Sequence, residues 1–496
     1  MRRVVLLFVL FSAAAIAACA DGPSNRPTAP NEVRLAQLGT SGATVVDIGN
    51  DTTAQNETPI AVNPKNPQNF IVGANDWNYN DGCAVNASFD GGKTWTPTVP
   101  NGFLPGVTKY TNDPHVPGTG TGDFGGDPTV AFDKFGTAYY ACYSYKASGN
   151  GSLRAQLLLS KSFNGGKTWL KGVSAGEPLT VVAQWDATGI TKGSTGQFQD
   201  HDAIWVDPTD GTIYITWAQF HGNGSNSPIY VAASTNGGNT FTTPVQVTAS
   251  TVRSNQDARI VTNGDGNRAY LTFDNGVQGG KGTVMYVSES SDHGATWSAP
   301  VQFAQLKNPV CLFPPYCFNV SGTPFRGPGS YPVPAFDPVG RRLYVAYTDI
   351  VNGLAQIFLA SAAEGEIANA GKWSVAQVTP AGTGDRLNVE MSIDRTSGRI
   401  DFISQDRSYS SNTQVDITYG YSIDRGSTFT TQRVTRTSYD PSQYGVPSGS
   451  GFRPFIGDYN GIVSLPRRAA FAWTGVGKSY GTLPINLDIF FGSVTP

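Results

Sequence analysis

The chain has 496 residues, 14% of them charged, with a formal net charge of −3. That balance leaves no basic footprint, which sets nucleic acid aside as a partner. Only four His are present and no Cys-x-x-Cys pair, which sets aside a structural zinc site. In chain order, residues 1–18 combine Arg2 and Arg3, an apolar run and small residues, and read as an export signal with no part in the fold. Residues 19–40, containing "ADGPSNRPTAPNE", predict a flexible, Pro-rich tether. From residue 41 to 496 no 3.6-residue apolar period is sustained, while 58 Gly and many Ser, Thr and Asn supply turns, so this part reads as one all-β domain.

Seven stretches of that domain share one plan: a short apolar strand, an Asp/Asn-Pro/Gly turn and an aromatic-rich strand. They are "ETPIAVNPKNPQNFIVGAND" from Glu57, "GDPTVAFDKFGTAYYACYS" from Gly126, "HDAIWVDPTDGTIYITWAQ" from His201 and "QDARIVTNGDGNRAYLTFDN" from Gln256. "YPVPAFDPVGRRLYVAYTD" from Tyr331, "NVEMSIDRTSGRIDFISQD" from Asn388 and "GDYNGIVSLPRRAAFAWTG" from Gly457 complete the set. A third strand follows each, and a recurring box turns it into a fourth. Radial repetition of four antiparallel strands predicts a single β-propeller. Seven hairpins predict seven blades; six is the alternative if the fifth or last unit is not a blade. The last unit has three strands, ending in "NLDIFFGSV", and "GATVVDIG" (Gly42–Gly49) stands free to supply its fourth and close the ring.

The box occurs as "SFDGGKTWTP" from Ser88, "SFNGGKTWLK" from Ser162, "STNGGNTFTT" from Ser234, "SSDHGATWSA" from Ser290 and "SIDRGSTFTT" from Ser422. The last interval is about twice the others, and "SAAEGEIANAGKW", Ser361 to Trp373, is the decayed copy expected between. The chemistry is that of a turn. Asp or Asn bonds its own backbone, and Gly takes a conformation other residues resist. Two copies carry Asn164 and Asn236 in place of the carboxylate, which a turn tolerates and an acid catalyst does not.

The pattern resembles the Asp-box, or BNR repeat, of the sialidase superfamily, and the resemblance spans about residues 40–496. It implies a propeller acting on glycans, a glycoside hydrolase first of all. The superfamily's sialidases clamp the substrate carboxylate with three arginines and use a Tyr nucleophile, a Glu and an Asp acid/base. Their Arg-Ile-Pro motif is absent, and the matching place reads "QNETPIAV" with Glu57, which argues against exo-sialidase activity itself. Ile16-Ala17-Ala18-Cys19 in turn resembles a bacterial lipoprotein box. It implies cleavage before Cys19, lipid on its thiol, and a place in the cell envelope, at the outer membrane or cell surface.

Aligning the seven inner strands puts one residue per blade at the mouth of the funnel. They are Glu57, Asp127, His201, Asp257, Tyr331, Asn388 and Asp458, with Asn56, Asp200, Asp202, Gln256, Arg259, Arg386, Glu390 and Tyr459 beside them. Three readings stand. In the first, Glu57, Asp127, Asp257, Tyr331 and Asp458 supply acid, base or nucleophile for glycoside hydrolysis. His201, Arg259, Arg386, Asn388 and Tyr459 then bind substrate, Trp77 and Trp217 stack on sugar faces, and Tyr79, Tyr145 and Phe220 are further stacking candidates. Arg326 and Arg453 approach on loops. In the second, Asp200 and Asp202 hold a cation, with Ca²⁺ the suitable one. In the third, the acidic ring only lines a wet channel, and the protein is a binding scaffold for glycan or protein at the envelope.

Four cysteines remain after Cys19 and allow three pairings. "CLFPPYC" suggests a local Cys311–Cys317 loop, leaving Cys83 for Cys142. Long inserts at 101–122, 171–198 and 304–330 join outer to inner strands and are expected to wall the funnel. The expected partners are a glycan and, through the lipid, a membrane; the chain is expected to be a monomer.

Overall fold

The structure is a computed structural model. It describes residues 37–38, 43–49, 54–77, 82–97, 104–110, 117–147, 153–169, 180–184, 198–220, 227–249, 251–276, 283–307, 331–379, 384–448, 451–477 and 487–496. The export signal, Cys19, most of the tether, Tyr79, Arg326, Cys311, Cys317 and most of the three inserts lie outside the described residues.

Seven sheets of four antiparallel strands form a β-propeller, so the six-blade alternative falls. Blade 2 shows the plan, running outward through Phe124–Phe132, Ala138–Ala147, Leu153–Ser162 and Thr180–Gln184. The innermost strands of blades 1 and 3 to 7 are Ile60–Asn63, Phe198–Val206, Gln256–Thr262, Val333–Asp337, Arg386–Ile393 and Gly461–Leu465. Blade 7 is completed from the other end of the chain. Thr44–Asp47 pairs with Leu487–Val494, Val46 opposite Phe491, and Gln37–Leu38 adds a short fifth strand outside it. The ring is thus closed by the segment expected to close it.

The core is a series of layers between blades. Val85 and Ile71 of blade 1 pack with Tyr140 and Leu158 of blade 2, and Tyr143 and Leu157 of blade 2 pack with Ile215 and Trp217 of blade 3. The boxes lock the outer ends of these layers. In each intact copy the Ser Oγ accepts the amide of the second loop Gly position, at 2.8–2.9 Å, and faces Asp or Asn Oδ1 at 2.7–2.9 Å. Where the acid is present, the Thr hydroxyl donates to its second oxygen, as from Thr94 to Asp90 and Thr428 to Asp424. Where Asn replaces it, the amide donates to the Thr hydroxyl, as Asn164 does to Thr168 and Asn236 to Thr240 at 2.8 Å. A hydroxyl serves as donor or acceptor, which is why the turn survives the exchange. These donors hold the Asp424 carboxyl down, to about 2. Gly92 has φ +89°, and a Cβ there would collide with the Phe491 ring of blade 7. The box Trp95 lies on that same ring, at 5.0 Å between centroids. In the decayed copy of blade 5 the turn is rebuilt from two short 3₁₀ turns, yet Trp373 keeps the role, stacked on Phe303 of blade 4 at 4.7 Å.

The expected Cys83–Cys142 disulfide is corrected: both are buried free thiols. They meet across the blade 1–2 layer as hydrogen-bonded thiols, with Cys83 Sγ 3.9 Å from the Tyr143 carbonyl oxygen. Burial, then the Cys83 contact, pushes the Cys142 thiol well up and disfavours the thiolate that disulfide exchange needs.

Candidate functional site

The site begins with a backbone device. Glu57, Asp127, His201, Asp257 and Asn388 all have left-handed backbone, with φ of +59°, +53°, +55°, +58° and +46°. In blades 2, 3, 4 and 6 this residue opens a β-bulge in the innermost strand. The register slips between Gly126 and Thr129, Asp200 and Ala203, Gln256 and Arg259, and Leu387 and Glu390. A bulge re-aims the side chain that carries it, and left-handed backbone costs a non-Gly residue of order 1–3 kcal/mol. Asp, Asn and His bear this conformation better than most, which gives the ring its composition. In blade 7 the alignment slips by one: Gly457, with φ +86°, holds the left-handed position, and Asp458 follows it.

These residues meet through the axis. Asp127 accepts the His201 amide at 3.1 Å and donates its own amide to Asn75 Oδ1 at 2.9 Å. Glu57 accepts from Asn75 and, at 3.3 Å, from the Asp458 amide. The His201 ring lies 4.9 Å from that of Tyr331 and 5.3 Å from that of Tyr459, which joins blades 3, 5 and 7. Tyr459 donates its hydroxyl to the Pro128 carbonyl at 2.9 Å. Arg259 of blade 4 forms a two-pronged pair with Glu390 of blade 6, at 2.6 and 2.9 Å, and lies 5.8 Å from the Tyr331 ring centre. His201, Tyr331 and Tyr459 are 3, 1 and 7% exposed. The three rings are therefore almost closed to solvent.

Four titratable side chains, His201, Asp257, Asp274 and Asp202, are buried here. His201 Nδ1 is 2.9 Å from Asp257 Oδ1 of the next blade. Asp274, at the end of the second strand of blade 4, hydrogen-bonds Asp257, and burial first and then Asp257 push its carboxyl well up. Asp202, next to His201, is likewise pushed well up by burial and then by Asp127, with a smaller push from Asp200.

The sign of that shift sets a prediction. The folded carboxyl of Asp202 titrates above its unfolded value, so the folded form holds the proton more tightly. The favourable contribution is complete below the unfolded pKa and is lost as pH rises through the folded one. Asp202→Asn, which cannot ionise, should raise the melting temperature by a few °C at about pH 8 and leave it unchanged at about pH 4. Equal shifts at both pH values would show that the Asp202 carboxyl does not titrate above the normal range.

Other expected residues lie elsewhere. Trp217 is fully buried between blades 2 and 3 and stacks on Tyr230 at 6.0 Å, so it is core and not a sugar platform. Tyr145 and Phe220 are buried in the same way. Trp77 is half-buried, against Ile350, Leu387 and Ile456. Arg386 pairs with Asp406 at 3.3 Å and Gln356 at 3.0 Å within blades 5 and 6, away from the His201 cluster. Asn388 is held by Gln405 at 3.2 Å. Asp200 accepts from Gln256 Nε2 at 2.7 Å, and among the described residues no group of three or more His, Cys, Asp or Glu is arranged to hold a metal. Sequence reasoning missed Asp274 and Asn75. A signal was present: three second strands end in Asp, at Asp76, Asp274 and Asp406. They face a residue one or two positions before the left-handed one of their blade: Asp76 opposite Gln55, Asp274 opposite Gln256, and Asp406 opposite Arg386.

No family model and no curated protein matches the chain. Among solved structures, an ulvan lyase of polysaccharide lyase family PL25 superposes with a TM-score of 0.51 at 13% identity, covering 90% of this chain and 95% of that one. An unknown-function protein from Dyadobacter fermentans gives 0.47 at 12% identity, over 94% of this chain and 100% of that one. The Hadza microbial sialidase Hz136 gives 0.45 at 13% identity, over 84% and 73%. At such identities the likeness is one of fold: the chain shares the architecture of a propeller that, in another protein, bears a polysaccharide lyase.

Proposed function

We propose that this propeller is an extracytoplasmic enzyme that cleaves an acidic polysaccharide by elimination at a uronic acid, with His201 as the proton-transfer group. The observation that supports this most is the Asp274–Asp257–His201 series, set beside Tyr331 and Arg259. Elimination from a uronate needs a base, an acid and a cation near the carboxylate. His201 Nε2 takes the proton from the carbon next to the carboxylate. The electron pair becomes the new ring double bond, the bond to the leaving oxygen breaks, and the Tyr331 hydroxyl protonates that oxygen. Proton return from imidazolium to tyrosinate restores the site. Arg259 is the cation, once the substrate carboxylate competes with Glu390. The PL25 lyase adds that this fold carries such chemistry in another protein.

A second reading is glycoside hydrolysis. It is favoured by Asp202, a carboxyl pushed well up by burial and by Asp127, as the acid of a hydrolase pair would be. In either case the export-signal pattern of residues 1–18 and the lipoprotein-like Cys19 support an activity at the bacterial envelope, on glycans of the surface or the surroundings. The test is product analysis. Residues 20–496 are incubated with uronate, sialylated and neutral glycans, with and without Ca²⁺, and the released sugars are read by mass spectrometry and ultraviolet absorbance. Unsaturated products, lost in His201→Asn, support elimination. Saturated products, lost in Asp202→Asn, give the site to hydrolysis. No product from any glycan by the folded protein overturns both and leaves the buried ring as the channel lining of a binding scaffold.

A further inference from the structure

Seven large apolar side chains stand exposed among the described residues, and five of them, Phe89, Phe135, Phe163, Val339 and Ile423, sit on the turns opposite the funnel mouth. Phe89, Phe135 and Phe163 are 36, 70 and 70% exposed and belong to neighbouring blades 1 and 2. The turns do not need them. In the box, the position after Ser is Phe89 and Phe163 in the first two copies but Thr235 and Ser291 in the third and fourth, with the same hydrogen bonds around it. Isolated exposed apolar residues call for no explanation, but a group of phenylalanines on one face does.

The same turns are basic. Lys167 Nζ lies over the Phe89 ring at 4.8 Å, and Lys134 Nζ over Phe135 at 5.4 Å. Lys65 and Lys93 are exposed on the neighbouring turns of blade 1. The acids of these turns are occupied internally: Asp90 by Thr94 and the Lys93 amide, Asp133 by Tyr139 and the Thr137 amide. In a chain with a net charge of −3, lysines thus lie over two of the three exposed phenylalanine rings of this face. Finally, the described chain begins at Gln37–Leu38 on the outer edge of blade 7, which lies beside blade 1. The 18 residues from Cys19 to Gln37 (37 − 19) reach at most about 60 Å when fully extended.

We propose that the turn face of blades 1 and 2 docks on the headgroup layer of an anionic lipid bilayer. The phenylalanines enter the boundary between headgroups and acyl chains, and the lysines meet lipid phosphates. The opposite face, with the His201 cluster, is then turned away from the membrane. This orientation does not depend on the chemistry at His201 and stands if that reading fails.

The test uses residues 20–496, which lack the lipid, with sedimented vesicles of phosphatidylcholine alone or mixed with phosphatidylglycerol. The protein should bind the mixed vesicles, and binding should fall with added salt. The F89S/F135S/F163S variant should bind at least 10-fold more weakly at an unchanged melting temperature, and K93E/K134E/K167E should lose the preference for phosphatidylglycerol. No binding to mixed vesicles, or binding untouched by the Phe substitutions, overturns the proposal. So does a Phe variant that loses self-association in place of vesicle binding, since the patch would then belong to a second copy of the chain.

Discussion

His201→Asn should lower polysaccharide cleavage by about 10²–10⁴-fold, the usual worth of a positioned proton-transfer group, while the propeller stays folded. The ring contributes two things that Asn cannot replace: a basic nitrogen and a face against Tyr331 and Tyr459 at 4.9 and 5.3 Å. Asn is chosen because it tolerates the left-handed backbone that His201 occupies at φ +55°, so the bulge is kept. Asp257→Asn is the companion. It keeps the shape beside Nδ1 but removes the carboxyl whose oxygen lies 2.9 Å from it. Asp257→Asn should therefore lower the rate while the melting temperature stays close to that of the wild type. The measurement is initial rate against pH for the wild type and both variants, with melting curves as the folding control. Unchanged rates in His201→Asn would remove the imidazole from the mechanism.

What could be read from sequence follows the range of the interactions. The strands, the box turns and the count of blades rest on neighbours a few residues apart: alternating apolar positions, Asp-Pro and Gly-Gly turns, and a Ser hydroxyl bonding an amide four residues on. Ring closure was legible as well, because a three-stranded last unit and an unclaimed apolar strand imply one another. The funnel ring aligned correctly in blades 1 to 4 and 6, since each bulge residue stands at a fixed distance before its turn. It failed in blade 7, where the left-handed position falls on a glycine. No local rule joins His201 to residues in other blades. The Asp257 contact spans two blades, and the stacking on Tyr331 and Tyr459 spans the axis, so both depend on how seven sheets are arrayed. The same limit explains Trp217. An aromatic near a loop end looks available in sequence, but its alternation along Ile213–Phe220 points it into the layer with blade 2.

Deleting residues 1–49 should abolish a cooperative melting transition, or lower its midpoint by more than about 10 °C. Thr44–Asp47 is the fourth strand of blade 7, and without it the full length of Leu487–Val494 becomes an open edge. The strand also contributes side chains to the seam where the ring joins. Val46 and Ile48 are buried with Phe70 and Val72 of blade 1 and with Ala470 and Phe491 of blade 7. Two such side chains contribute about 3–6 kcal/mol on transfer from water, against a total of about 5–15 kcal/mol for a typical domain. The loss is larger than that figure alone suggests, because Phe491 also supports Phe70 at 5.5 Å and Trp95 at 5.0 Å, and with them the box of blade 1. Val46→Asp in the intact chain should have much of the same effect, by placing a charge in the seam at the cost of several kcal/mol. A peptide of residues 42–49 added to the truncated protein should restore part of the lost melting temperature, as strand addition to an open edge does. A truncated protein that melts as the intact one does would mean that blade 7 stands on three strands, and that the seam between blades 7 and 1 is held without the N-terminal strand.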